Sequence, residues 1–173
     1  MSTTAQIALA GLAAEYCRVV EDAAETAPQT FLHEVLRYLP RLYITIADMT
    51  DGVTASDNGM IYPALDETSY ESARASMAAL LGEYDTYLDT QVDDMMYSDT
   101  PVAVSLSERL ADIYQAMYDL ADNLRQVPDA AADELMENLA DNFETYLGDT
   151  LSDALRAANR LYYSRHLDND PDI

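Results

Sequence analysis

The 173-residue chain has no lysine and no tryptophan, one cysteine, two histidines, two phenylalanines and five glycines. Each shortage removes some chemistry. Without lysine the chain cannot supply a Schiff base, a pyridoxal-phosphate anchor or a phosphate-loop lysine. Cys17 alone allows neither an internal disulfide nor a cysteine-based cluster. Its place in a helical stripe suits a small buried hydrophobe. Two histidines and one cysteine are too few for zinc. A di-iron bundle needs Glu-x-x-His pairs, but Thr30 and Tyr163 stand three residues before His33 and His166. Residues 51–58 lack the ligand spacing of a calcium-binding helix–loop–helix. No Gly-x-Ser-x-Gly elbow or glycine-rich phosphate loop is present. The expectation is therefore no cofactor and no metal. The apolar run from Ile7 to Ala14 is short and no basic segment precedes it, which predicts no signal peptide, no membrane span and a cytoplasmic location.

What is abundant is negative charge. Asp and Glu number 32 against nine basic residues, all arginine, for a formal net charge of -23. Such a field repels nucleic acid and anionic lipid, and leaves basic proteins or peptides, cations and neutral molecules as partners. Thirteen tyrosines supply most of the aromatic surface.

Scarce glycine and strong three- and four-residue periodicity predict an all-α fold, a single-domain antiparallel bundle of about six helices over residues 1–173 with a frayed tail at 167–173. Helices are expected from about Thr4 to Ala24, Pro28 to Asp48, Ser69 to Val92, Leu106 to Gln126, Pro128 to Leu147 and Leu151 to Arg165. Pro40 should kink or split the second, and Gly148 should end or bend the fifth. Residues 51–65 read as the one long loop, and a Met-rich turn spans 93–104. Four capping boxes are legible: Thr3 with Gln6, Thr26 with Gln29, Thr68 with Glu71 and Ser105 with Glu108. No period-2 stretch competes with helix.

Two rows of polar residues stand out. On the fourth helix, Leu106, Leu110, Ile113, Met117, Leu120 and Leu124 mark the buried side. Glu108, Asp112, Gln115, Asp119 and Asp122 mark the opposite one. On the third, Asp85, Asp89 and Asp93 recur four apart, a repulsion of about 0.2–0.5 kcal/mol per pair that calls for an offsetting cation. Arg156 and Arg160, also four apart, supply one, so Arg156 is expected to bridge to Asp85, Asp89 or Asp112. Tyrosine rings should fill the core rim while their hydroxyls reach these acidic rows.

Several landmarks occur in order: Glu15-Tyr16-Cys17, Leu39-Pro40-Arg41-Leu42-Tyr43, the run LADIYQ at 110–115, Tyr146-Leu147-Gly148, and Ala154-Leu155-Arg156-Ala157. Together they resemble a bacterial family known as domain of unknown function 5063, over nearly the whole chain. The family pattern has Trp at the place of Leu147, Asp-Leu at that of Ala116-Met117, and a His near Asn159 to Tyr162. The resemblance implies a helical intracellular protein and no particular reaction.

The residues thus point to a non-enzymatic intracellular helical module that binds a basic protein or peptide through an acidic, Tyr-lined face. Asp85, Asp89, Glu108, Asp112, Gln115 and Arg156 form its candidate binding or structural network. The alternative is a small-molecule or cation-dependent enzyme with a carboxylate pocket between the third, fourth and sixth helices.

Overall fold

The first helix, α1 (Thr4–Glu21), opens with Thr3 and Gln6 satisfying each other's backbone amides, a complete capping box. The structure, a computed structural model, describes residues 3–57, 61–89 and 100–167. It is mostly helical, with one small two-stranded sheet.

A 3₁₀ turn at Ala23–Glu25 leads into α2 (Pro28–Thr50). The expected box of Thr26 and Gln29 is not made. Ala27 takes the N-cap position with Pro28 first in the helix, and Thr26 Oγ1 donates to the Asp22 carbonyl instead. Nor is α2 split at Pro40. The proline lies on the exposed side, where water can take the carbonyl that its missing N–H leaves free.

The next helix, α3 (Glu67–Leu81), is capped by Asp66, whose carboxylate accepts from the Ser69 amide. The predicted Thr68 and Glu71 box is absent, because Glu71 pairs with Arg74 one turn on. The larger correction is where α3 stops. Gly82 adopts φ 57, a conformation other residues rarely take, and ends the helix about ten residues before the expected Val92. A 3₁₀ turn at Gly82–Asp85 then feeds strand β1 (Thr86–Asp89). It pairs antiparallel with β2 (Val102–Ser105), Thr86 opposite Ser105 and Asp89 opposite Val102. Leu88 is exposed. Asp93 and much of the Met-rich turn lie outside the described residues, as does the tail beyond Leu167.

Ser105 ends β2 and caps α4 (Leu106–Gln126). Every apolar stripe residue predicted for α4 is buried. A 3₁₀ turn at Asp129–Ala131 precedes α5 (Ala132–Asn142), which continues through a π turn at Phe143–Leu147 into α6 (Gly148–Ser164). Thus the last two predicted helices are not separated at Gly148. The Gly148 amide bonds the Phe143 carbonyl, and a Cβ there would lie 2.9 Å from that oxygen. Glycine is needed for close approach, not for a break.

The helices pack α1 against α4, α2 against α6, α3 against α4, and α1 against α2. Leu32, Val35, Leu39, Leu42 and Ile46 of α2 join the α4 stripe, Leu9, Ala13, Tyr16 and Val20 of α1, and Leu151, Ala154 and Ala158 of α6 in one core.

Candidate functional site

Asp85 is 8% exposed and sits beside the start of α4. One carboxylate oxygen accepts the Ser107 amide at 2.7 Å; the other accepts the Ser105 and Ser107 hydroxyls, each at 2.7 Å. Free amides and the positive dipole end of a helix favour an anion in this position. Asp85 therefore fastens the strand ribbon to α4.

Asp89, at the end of β1, is 3% exposed. It belongs to a ring of alternating charges. Arg156 Nη2 lies 3.5 Å from Asp89 Oδ1 and 2.9 Å from Asp153 Oδ1. Arg109 Nη2 lies 3.8 Å from Asp89 Oδ2, and its Nε lies 3.4 Å from Asp153 Oδ2. The Tyr87 hydroxyl also donates to Asp153. Two guanidinium groups are thus shared between two carboxylates, each touching both, and the four charges cancel. The Arg109 Nε contact is ionic only, as its geometry makes no hydrogen bond. Burial works against the Arg109 charge, but Tyr87 and Asp153 hold its pKa above the usual value. Burial, followed by the bond to Asp153, raises that of the Tyr87 hydroxyl, so the phenol stays a donor.

Asp112 occupies a different place. Tyr70 of α3 donates to its Oδ1 at 2.7 Å, and Tyr146 of the π turn donates to its Oδ2 at 2.8 Å. Periodicity assigned Asp112 to water, but here Tyr70 of α3 and Tyr146 of the π turn reach over to it. Burial, then the bond to Asp112, raises the Tyr70 and Tyr146 pKa values. Tyr146 is 46% exposed. Glu108 and Gln115 are exposed on either side. Further along the same row, Asp119 Oδ1 accepts the Ala64 and Leu65 amides, and beside it the buried Asn123 accepts the Tyr62 amide and donates to the Tyr62 carbonyl. Asp119 and Asn123 of α4 therefore anchor the loop before α3.

The six predicted residues thus fall into separate groups. Asp89 and Arg156 meet; Asp85 adjoins them as a helix clamp; Asp112 stands apart, with Glu108 and Gln115 beside it at the surface. Arg109 and Asp153 were missed. The signal for Asp153 was its i, i+3 spacing to Arg156, which forms an ion pair on one helix face. No comparable signal marked Arg109, because its partners come from β1 and α6.

Cys17 is buried, and its Sγ faces the Tyr114 carbonyl at 3.9 Å. Burial and the nearby Glu21 push its thiol up to about 12, so it carries no thiolate at neutral pH. Among the described residues, no group of three His, Cys, Asp or Glu side chains is placed to hold a metal ion. Nor is any helix among them long and apolar enough to cross a membrane.

The fold is similar to the crystal structure of protein BF1032 from Bacteroides fragilis, with a TM-score of 0.74, 26% sequence identity and 94% of each chain covered. No curated protein matches the chain significantly. The sequence profile described as "Domain of unknown function (DUF5063)" matches residues 2–164, so the chain belongs to that family.

Proposed function

We propose that the protein is a non-enzymatic, intracellular helical module that binds a basic protein or peptide on the acidic, Tyr-lined face around Asp112. One observation carries this reading: Asp112 is held by two phenol hydroxyls and by no arginine among the described residues. Hydroxyl donors fix a carboxylate without cancelling its charge. The oriented negative charge is then available to a guanidinium, with the exposed Tyr146 ring beside it for cation–π contact. The exposure of Glu108 and Gln115 supports an open face rather than a carboxylate pocket.

Any chain with a net charge of -23 attracts basic peptides weakly. The test therefore compares sites. Fluorescence anisotropy of an Arg-rich peptide should show binding that weakens about tenfold in Asp112→Asn, the loss of one charge-assisted contact, and hardly changes in Asp48→Asn on exposed α2. Equal losses in the two variants would mean general charge attraction and would sink the reading.

A further inference from the structure

A groove of about 490 Å³ lies where α2 packs against α6. Its apolar lining is Leu39, Pro40 and Tyr43 from α2, with Leu151 and Leu155 from α6. Leu39 and Leu151 are buried and form the floor, whereas Pro40 and Tyr43 stay exposed on one wall. Tyr43 is braced even so. Its ring centroid lies 5.1 Å from that of Phe143, tilted by 59°. The wall thus stands in place without a ligand, which lowers the ordering cost of binding one.

The charge along this groove is the reverse of that of the chain. The protein carries 32 acidic residues, and none of them lines it. Arg156, Asn159 and Arg160 of α6 do. Arg156 is held by Asp89 and Asp153. Arg160 is exposed and makes no ion pair among the described residues. Arg37 and Arg41, exposed on the same stretch of α2 as Pro40, make none there either. With 32 acids against nine arginines, three guanidinium groups left unpaired beside an apolar surface suit an anion from outside.

We propose that the groove binds a free single-chain amphiphile with an anionic head, a medium-chain fatty acid. Arg160 and Asn159 receive the carboxylate, and the chain lies along Leu155 between Pro40 and Tyr43. Leu151 and Arg160 stand about 13.5 Å apart along the helix axis at ~1.5 Å per residue. An extended alkyl chain advances about 1.25 Å per carbon, so roughly eight to ten carbons fill the groove. A two-chain phospholipid is too large for it. At physiological ionic strength the overall negative field is screened within about 8 Å, so the nearby arginines decide the binding. The groove takes an anion and the Asp112 face a cation, so the two readings stand or fall separately.

The probe is octanoate, titrated into the full-length protein at fixed pH and physiological salt. The Tyr43 ring signals, identified by their loss in Tyr43→Phe, should shift saturably. Those of Tyr62, 64% exposed on the loop before α3, should stay in place. Each methylene removed should weaken binding about threefold, so hexanoate should bind roughly tenfold more weakly. Octylammonium, the same chain with a positive head, should also bind more weakly, although the net charge of -23 favours it everywhere else. Arg160→Gln should weaken octanoate about fivefold, the upper end for an exposed charge pair. Asn159→Trp, at an exposed position that tolerates substitution, fills the groove and should abolish the shift. No saturable Tyr43 shift, equal movement of Tyr62, octylammonium as strong as octanoate, or unchanged affinity in either variant would each overturn the assignment. So would binding to phosphatidylserine vesicles, or to an acidic peptide, that is tighter than binding to octanoate.

Discussion

Arg156 on α6 reaches Asp89 at the end of β1, 3.5 Å away, while holding Asp153 on its own helix at 2.9 Å. It shares both carboxylates with Arg109, yet the two arginines are not equivalent. The Arg156 side chain is 43% exposed, and that of Arg109 is 24% exposed. Water can replace much of what Arg156 offers, so Arg156→Leu should cost at most about 1 kcal/mol, the scale of an exposed pair. Arg109→Leu leaves two buried carboxylates short of a cation and should cost about 3 kcal/mol. Urea denaturation of both variants checks the ranking, and equal costs would contradict it.

Asp85 accepts three hydrogen bonds at the start of α4. Asp85→Ala strands buried donors and should lose about 2–3 kcal/mol. Asp85→Asn keeps one acceptor oxygen and should lose less. Amide exchange should show the loosening at Ser107 and Glu108 first, ahead of the middle of α4. Uniform loosening along α4 would contradict a clamp at its end.

The same residues show what was legible in the sequence. The stripes of α2 and α4 were readable because every turn repeats the same apolar demand. The strand pair was not, because β1 and β2 have four residues each and their exposed positions carry Leu88 and Val102 rather than polar residues. Gly82 was the overlooked stop. Asp89 still meets Arg156 although the expected helix is absent there, whereas Asp85 lies in the 3₁₀ turn and is held by Ser105 and Ser107 instead. The position of Asp112 depended on Tyr70 and Tyr146, which lie 42 and 34 residues away in sequence. No local pattern on α4 encodes that.

Tyrosine takes part of the role that lysine would otherwise have. Tyr38, Tyr70, Tyr87, Tyr114 and Tyr146 each donate to a carboxylate. Burial first, and then these acidic partners, raise the pKa values of Tyr70, Tyr87, Tyr114 and Tyr146 above the usual 10.0; burial likewise raises buried Cys17 from 9.0 to about 12. In each case the folded state keeps a proton that the unfolded state releases first. Stability should therefore be unaffected by these groups below about pH 9 and fall as pH rises from 9 towards 12 and beyond. Urea midpoints across that range test it, with tyrosinate absorbance as a second readout. Full ionisation of all thirteen tyrosines near pH 10 without unfolding would contradict the prediction.

Two glycines should respond to the same substitution with opposite signs. Gly11 lies exposed inside α1 with nothing within 4 Å of an added Cβ. Gly11→Ala removes unfolded-state freedom without a clash and should stabilise by about 0.5–1 kcal/mol. At Gly148 the added Cβ would lie 2.9 Å from the Phe143 backbone oxygen and 3.4 Å from its ring. That oxygen accepts the Gly148 amide across the π turn, so it cannot move away without loosening the junction of α5 and α6. Gly148→Ala should therefore destabilise by about 1–3 kcal/mol. The strain falls beside Tyr146, so it should also disturb the hydroxyl bond to Asp112. The two variants are compared by thermal melting, with the Tyr146 ring signals followed in parallel. A stabilised Gly148→Ala would mean that the π turn relaxes to a regular helix, and that its geometry is not what holds Tyr146 against Asp112.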